Sequence, residues 1–285
     1  PPPPPNQPPA PLVVIIPPPA GAAPGTLAAP TGVVFNGTSG FVVSQGGKSG
    51  PSVFIFSTED GTISGWNPGV DRTHAVLAVD RSAVGAGAVY KGLAINSNED
   101  GTFIYATNFR FGEIEMYDAN FHLVRSFTDH NLPQGYAPFG IQSIGSNLYV
   151  TFARQDAAKH DDVAGQGHGF VDVFSTSGKL IRRLISHGQL NSPWGLALAP
   201  ANFGQFSNDL LVGNFGNGRI NAYDPKTGER VGQLKSHAGD PIVIDGLWAL
   251  EFGNGATAGP SNALFFTAGI DDEMHGLFGK IESVS

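Results

Sequence analysis

The stretch that decides the fold is PWGLALA at residues 193–199, because similar stretches recur along the chain. The others are PTGVVFN from Pro30, YKGLAIN from Tyr90, PFGIQSI from Pro138 and DGLWALE from Asp245. Their shared glycines, which lie 60, 48, 55 and 51 residues apart, are Gly32, Gly92, Gly140, Gly195 and Gly246. A recurrence every ~50 residues indicates a repeat architecture.

Each of these stretches begins a series of short apolar strands separated by turns. The second strands read SVFIFS, TFIYATN, NLYVTF, DLLVGN and NALFFT, and the third strands read GTISGW, GEIEMYD, GFVDVF, GRINAYD and GLFGKIE. Fourth strands follow in the first four repeats, as AVLAVD, HLVRSF, KLIRRL and ERVGQL. This pattern predicts an all-β fold, a β-propeller of four-stranded antiparallel blades with five repeats visible. A β-sandwich also has many short strands, but it does not explain five glycines in register.

A Pro-rich N-terminal segment, residues 1–30, precedes the propeller domain of residues 31–285 and contains one strand, Leu12–Ile16, between proline runs. Because the fifth repeat ends after its third strand, we expect Leu12, Val13, Val14, Ile15 and Ile16 to complete the last blade. The partner blade lies either in the same chain or in a second copy, and donation between copies would make the protein a structural subunit of fibres. A remnant of an upstream sixth blade is the third interpretation.

Composition excludes several classes of function. The chain carries 24 acidic and 16 basic residues, a net charge of −8, which disfavours binding to nucleic acids and anionic membranes. It has no cysteine, so disulfides and thiol chemistry are ruled out. No apolar run approaches the roughly 20 residues of a membrane span. We therefore predict neither a nucleic-acid partner nor a membrane span.

The amino-acid sequences of several motifs resemble those of a known family. GYAPFGIQSI at 135–144, PWGLALAPANFGQFSNDLLVGNFGNGRINAYD at 193–224 and HGLFGKIE at 275–282 are similar to an uncharacterised bacterial family of secreted, NHL-repeat-like propellers, some with PEP-CTERM sorting signals. The resemblance implies six blades and a secreted or extracytoplasmic bacterial protein whose leader has been removed. Members usually carry another blade upstream, where this chain has a strand and prolines. A more distant likeness to gluconolactonase-type propellers implies an axial divalent metal, although their ligand pattern is not matched.

Two enlarged turns, at 153–169 and 268–276, are predicted on the same rim as the blade-to-blade connections. Their imidazoles and carboxylates form a ligand set suited to a divalent metal as a possible cofactor. The candidate residues are His160, Asp161, Asp162, His168, Asp271, Asp272, Glu273 and His275. Such a site would support a metal-assisted hydrolase, lactonase or lyase, provided that the two turns meet over the axis. Ordinary solvated loops are the alternative interpretation.

Aromatic and polar residues on the same rim suggest a ligand site. They are Tyr90, Asn108, Arg110, Tyr136, Arg154, His187, Trp194, Asn214, Asp245 and Trp248. Aromatic rings beside polar groups suit a sugar or another small organic ligand, while packing between blades is the alternative for each residue. No serine lies in a G-x-S-x-G elbow, and whether the protein is an enzyme stays open. The favoured function is an extracellular binding or scaffold module whose His/Asp-rich rim takes a small molecule, a glycan or a protein.

Overall fold

The computed structural model describes residues 12–283 and shows an all-β protein. The single helical element in this range is a short 3-10 turn at Gly204–Phe206, and no helix there is long and apolar enough to cross a membrane. The first sheet consists of β1 (Pro30–Phe35), β4 (Phe54–Thr58), β5 (Thr62–Trp66) and β6 (Val76–Asp80). A hairpin that the repeat pattern does not foresee, β2 (Val42–Gln45) and β3 (Lys48–Pro51), is inserted between β1 and β4.

Four further sheets follow in chain order. The second contains β7 (Tyr90–Asn98), β8 (Gly101–Asn108), β9 (Glu113–Tyr117) and β10 (Leu123–Phe127). The third contains β11 (Tyr136–Ile144), β12 (Asn147–Arg154), β13 (Phe170–Ser175) and β14 (Leu180–Ser186). The fourth contains β15 (Pro193–Leu198), β16 (Leu210–Asn214), β17 (Ile220–Tyr223) and β18 (Arg230–Gln233). The fifth contains β19 (Leu247–Phe252), β20 (Ala263–Ile270) and β21 (His275–Glu282).

The predicted β-propeller of antiparallel blades is confirmed. Within every sheet the strands pair in chain order, and each predicted fourth strand forms the outer edge of its blade. The first strands of consecutive blades contact one another, from β1 to β7, β11, β15 and β19 in turn. These five strands therefore surround the axis and position any side chain that faces it.

Close backbone contact between first strands explains the repeated glycine. A Cβ added to Gly32 would lie 2.8 Å from the backbone nitrogen of Leu93, and one added to Gly195 would lie 2.6 Å from the carbonyl oxygen of Trp248. Hydroxyl groups bridge the same seams, as when Thr107 Oγ1 donates to the Phe139 carbonyl at 2.7 Å. Only glycine allows neighbouring blades to approach so closely at this position.

The assignment of Gly246 as the fifth glycine in register is wrong. Leu250 of β19 pairs with Phe266, as Leu196 of β15 pairs with Val212, so Ala249 occupies the position equivalent to Gly195. Gly246 instead lies before the strand in a left-handed turn with φ of 59°. Ala249 is half-buried, whereas the equivalent glycines are buried. A methyl group is accommodated at this position because, within residues 12–283, no further blade packs against this wall.

Four apolar clusters hold the blades together, one between each consecutive pair. Among the described residues, no such cluster joins the fifth blade to the first. The facing walls are exposed instead: Val33 is 58% and Phe35 61% exposed on the first blade, and Phe278 is 57% exposed on the fifth. Thr267 of β20 is exposed, although its counterpart Thr107 is fully buried. The ring is therefore open between its last and first blades.

The expectation that Leu12–Ile16 completes the last blade of the same chain is wrong. Ile15 forms a single parallel bridge with His74, beside the start of β6 in the first blade. Its N–H donates to the Thr73 carbonyl at 2.8 Å, and its carbonyl accepts from the Ala75 N–H at 2.9 Å. The last sheet has three strands within the described part of the chain. Pairing with a second copy stays a prediction.

Prolines and two anchors keep this segment on the first blade. Pro17–Pro19 have no N–H groups, so a ladder cannot continue past Ile16. Further along, the Ala20 N–H donates to Asp80 Oδ2 at 2.7 Å and the Ala29 N–H donates to Asp60 Oδ2 at 2.8 Å. The chain thus follows the first blade from its outer edge to β1. The proposed segment boundary at residue 30 stays a prediction, and residues 1–11 lie outside the described range.

We predict that Gly195→Ala lowers the free energy of unfolding by about 1–3 kcal/mol, because the new methyl group would collide with the Trp248 backbone. The matched control is Gly276→Ala in β21, where an added Cβ meets nothing within 4 Å and the change should stay within about 0.5 kcal/mol. Urea denaturation of both variants measures the difference. Equal losses would contradict the packing role assigned to the glycine.

Candidate functional site

Two adjoining cavities, called the axial cavities below, lie on the propeller axis and in the opening between the first and fifth blades. One of about 380 Å³ is lined by first-strand residues that include Gln142, Trp194, Trp248 and Glu251. The other, of about 310 Å³, is lined by Glu59, Trp248, Glu273, His275 and residues near them. Trp248 lines both cavities, so this residue lies where they adjoin.

An aromatic cluster forms part of the wall of these cavities. Trp194 and Trp248 pack edge to face with their ring centroids 5.3 Å apart, and Phe215 lies 4.9 Å from Trp248. Hydrogen bonds fix both indoles: Trp194 Nε1 donates to the Lys91 carbonyl at 2.8 Å, and Trp248 Nε1 donates to Glu273 Oε1 at 2.7 Å. Both indoles are half-buried, so they can offer apolar surface to a ligand without needing to reorient.

A buried lysine joins three blades at the mouth of the channel. Lys91 of β7 is only 3% exposed, and its Nζ forms ion pairs with Glu59 of the β4–β5 turn and with Asp161 of the β12–β13 turn, the latter at 3.2 Å. The ammonium also lies 5.9 Å from the centroid of the Phe109 ring. Lysine is rarely buried without a charged partner, so these contacts draw the long turn at 153–169 toward the axis.

Glu273 brings the second enlarged turn to the same place. Desolvation raises the pKa of its carboxyl above the ordinary value, and the negative charges of Glu59 and Asp161 add to this effect. The Trp248 hydrogen bond and the Lys91 charge oppose the rise in pKa. Glu273 therefore lies within electrostatic range of the Lys91 cluster, while the meeting of the two turns over the axis stays a prediction.

The turn that carries Glu273 has an unusual backbone. Asp271, Asp272 and Glu273 have φ values of 55°, 52° and 61°, which places three consecutive residues in the left-handed region. Each such residue is disfavoured by roughly 1–2 kcal/mol, and strain of this kind persists only where surrounding contacts enforce it. The contact between Glu273 and Trp248 is one such constraint.

The structure brings together only part of the predicted metal set. His160 and Asp161 join Glu59, and the three offer ligand atoms within 4.8 Å of one another. Asp162 is half-buried, and desolvation raises the pKa of its carboxyl. His168 points Nδ1 at the Val163 carbonyl, 2.9 Å away, within its own turn. Asp272 is exposed, and His275 lies 4.0 Å from Asp271.

The residues at this mouth do not fit a divalent metal well. The Lys91 ammonium already contacts both Glu59 and Asp161, two of the three potential ligands. A second cation in the same place would face an ammonium at close range and would compete with it for the same oxygens. The metal site therefore stays a prediction, and no chemistry is derived through it.

Burial contradicts three of the predicted ligand-rim residues. Tyr90, Asn108 and Asn214 are fully buried. The Tyr90 hydroxyl donates to Glu115 Oε2 at 2.6 Å, and burial raises the pKa of the tyrosine. Asn108 Nδ2 donates to Glu115 Oε1 at 2.9 Å, and Asn214 Nδ2 donates to the Gln189 carbonyl at 2.8 Å. These polar groups satisfy partners inside the blades and do not reach a ligand.

Of the remaining rim residues, Trp194 and Trp248 line the axial cavities and five others do not. Arg110 holds a blade connection by donating to the Ala86 carbonyl at 2.7 Å. Tyr136 and His187 pack on the Phe170 ring, with centroids 4.9 and 4.5 Å from it. Arg154 and Asp245 are exposed.

Sequence reasoning missed Lys91, Glu59, Gln142 and Glu251. A signal for Lys91 was present, because it immediately precedes the repeat glycine, as Thr31, Phe139 and Trp194 do in their repeats. That position faces the mouth of the channel in the structure, as the contacts of Trp194 and Lys91 show. Glu59 gave no comparable signal, because it lies in a short turn whose neighbours only the fold reveals.

We predict that tryptophan fluorescence titrates with a midpoint above 4.5, the ordinary pKa of a glutamate, because protonation of Glu273 changes its hydrogen bond with Trp248. Glu273→Gln and Trp248→Phe should abolish the transition, whereas Trp194→Phe should keep it. Removing the positive charge with Lys91→Met should raise the midpoint, and removing a negative charge with Glu59→Gln should lower it. A midpoint at or below 4.5, or a transition that persists in Glu273→Gln, would contradict the assignment of a raised pKa to Glu273.

Comparison with known proteins gives relatives without a known function. No family model matches the chain. Uncharacterized protein R648 of Acanthamoeba polyphaga mimivirus is 34% identical over 259 residues, which cover 88% of this chain and 62% of that protein. Uncharacterized protein L690 of the same virus is also 34% identical over 259 residues, covering 88% of this chain and 67% of its own length. The chain thus spans about two thirds of the length of these relatives.

Among solved structures, the nidogen/laminin complex is similar with a TM-score of 0.52 at 18% identity, covering 85% of this chain and 73% of that one. A likeness at this identity shows the fold alone. The propeller part of the sequence resemblance is confirmed by the sheets of this chain. Membership in a bacterial secreted family is not supported, because the relatives are viral. The chain belongs to the family of uncharacterised proteins that includes protein L690 of Acanthamoeba polyphaga mimivirus.

Proposed function

We propose that the protein is a binding module that holds a small, uncharged carbohydrate in its axial cavities. The observation that carries the proposal is the pair of half-buried indoles, Trp194 and Trp248, exposed to two adjoining cavities of about 380 and 310 Å³. Ligand sites typically combine an apolar aromatic wall with a few fixed polar groups, and these volumes lie at the small end of their usual range. One or two sugar rings match that size.

The polar groups of the cavities favour hydroxyl groups over anions. In the larger cavity Gln142 Nε2 donates to Glu251 Oε2 at 2.8 Å, and partial desolvation by the surrounding protein raises the pKa of the Glu251 carboxyl although the residue is exposed. In the smaller cavity Glu273 presents a second carboxylate, with Glu59 nearby. Carboxylates accept hydrogen bonds from hydroxyl groups, whereas the Lys91 ammonium at the mouth is already paired with Glu59 and Asp161. An anionic ligand would meet net repulsion.

The engagement of the three carboxylates at the mouth, Glu59, Asp161 and Glu273, supports binding over catalysis. Glu59 and Asp161 pair with Lys91, and Glu273 accepts the indole N–H of Trp248. General acid–base catalysis needs a group that is free to exchange a proton with the substrate. The metal-assisted hydrolase and the extracytoplasmic location stay predictions from the sequence.

Calorimetric titration with a panel of neutral mono- and disaccharides tests the proposal, with phosphate and citrate as anionic probes and spermidine as a cationic probe. We expect saturable binding of at least one sugar, loss of at least about tenfold in affinity in Trp248→Leu, and no binding of the anions. Val231→Ala, an exposed site on the outer strand of the fourth blade, is the control that should bind normally. Preferential binding of anions or spermidine, unchanged affinity in Trp248→Leu, or no sugar binding at all would overturn the proposal.

A further inference from the structure

The outer edge of β21 is free within the described residues. The strand pairs along its whole length with β20, from His275 opposite Ile270 to Glu282 opposite Ala263. No strand pairs with its other edge, whereas the third strand of every other blade lies between two neighbours. An unpaired edge presents a row of N–H and C=O groups, which makes it a ready template for an added strand.

A groove of about 450 Å³ continues from the C-terminal end of this edge. Ile281 and Glu282 of β21 line one side, and the end of β18 with the connection after it, from Gln233 to His237, lines another. The apolar floor includes Phe203, Phe206 and Ile242, which belong to or pack against the core between the fourth and fifth blades. The groove is therefore an outward continuation of an established core.

A buried amide points to the kind of group that is missing from this groove. Gln233 lines the groove, and its Nε2 is buried without a hydrogen-bond partner among residues 12–283. An amide N–H in this state is costly unless an acceptor reaches it. A backbone carbonyl of an added strand would supply such an acceptor once the Gln233 side chain turns its amide toward the groove.

We propose that the groove and the β21 edge receive the segment Leu12–Ile16 of a second copy of this chain. The segment is five residues long, and all five are apolar. The fourth strands of the other blades, β6, β10, β14 and β18, are five, five, seven and four residues long. Within its own chain the segment is paired through a single bridge, Ile15 with His74. In this position Val13 is 69% and Ile15 51% exposed. Pairing along a full edge would bury more apolar surface and satisfy more backbone groups than this single bridge does.

The proline run gives the segment a route to another molecule. Pro17–Pro19 separate the strand from the anchor at Ala20, whose N–H is bonded to Asp80. A short proline run is stiff and extended, so the strand can leave the first blade while the anchor holds. Donor and acceptor are different surfaces of the chain, so each contact is heterologous. Repeated contacts form an open chain of copies or a closed ring, of which a dimer with reciprocal exchange is the smallest.

The absence of cysteine allows a direct test by cross-linking. Chains with Val13→Cys are mixed with chains carrying Lys280→Cys on β21 and treated with a short bis-maleimide. We expect a covalent heterodimer in clearly higher yield than with Lys179→Cys, an exposed control site in the third blade. A heterodimer yield equal to that of the control overturns the proposal. In a chain that carries both Val13→Cys and Lys280→Cys, a cross-link within the monomer also overturns it.

Light scattering over a range of concentrations provides the second measurement. The unmodified chain should associate as its concentration rises, and Val14→Pro should remain monomeric with an unchanged melting temperature, because proline disrupts the added strand. A monomer at all concentrations, or association that persists in Val14→Pro, also overturns the proposal. Neither result bears on the axial site, so the two proposals fail separately.

Discussion

The arrangement of this protein depends on how closely the backbones of consecutive first strands approach each other. At the seam between the fourth and fifth blades, the backbone at Gly195 leaves no room for a Cβ beside the Trp248 carbonyl, and the seam between the first and second blades has the same constraint at Gly32. This proximity lets hydroxyl and indole groups bond directly to the backbone of another blade, as Trp194 does to the Lys91 carbonyl at 2.8 Å. The axis is therefore narrow enough for Trp194 of the fourth blade to reach the backbone of Lys91 in the second blade.

The same constraint explains why the fifth blade differs from the others. It is packed on one side by the fourth blade, and within the described residues its other side meets no blade and its outer edge meets no strand. Its wall tolerates Ala249 where the other blades carry glycine, and it leaves Thr267 in solvent. Trp248 and Glu273 of the axial site belong to this blade. Ligand binding at the site therefore depends on the fifth blade being ordered.

The repeat could be predicted from the sequence because strand periodicity and turn glycines are local properties. Strand pairing between distant segments could not be predicted from the sequence. The apolar pattern of Leu12–Ile16 is compatible with any free strand edge and does not identify the edge that is nearest in the fold. Gly246 was wrongly assigned as the repeat glycine of the fifth blade for a similar reason. It is the glycine that lies about one repeat length after Gly195, whereas the pairing of Leu250 with Phe266 fixes the register of the strand. At the site, Trp194 and Trp248 were recognisable from composition, but the Glu59–Lys91 contact joins residues 32 positions apart in different blades.

Hydrogen–deuterium exchange of the dilute monomer, resolved by residue, tests the central claim of a ring with an open last blade. If β21 is an edge strand, alternate amides between residues 275 and 282 exchange rapidly, while those of the third strands β9, β13 and β17 stay protected on both sides. Uniform protection of β21, equal to that of these three strands, would show that the fifth blade is complete and would contradict the account.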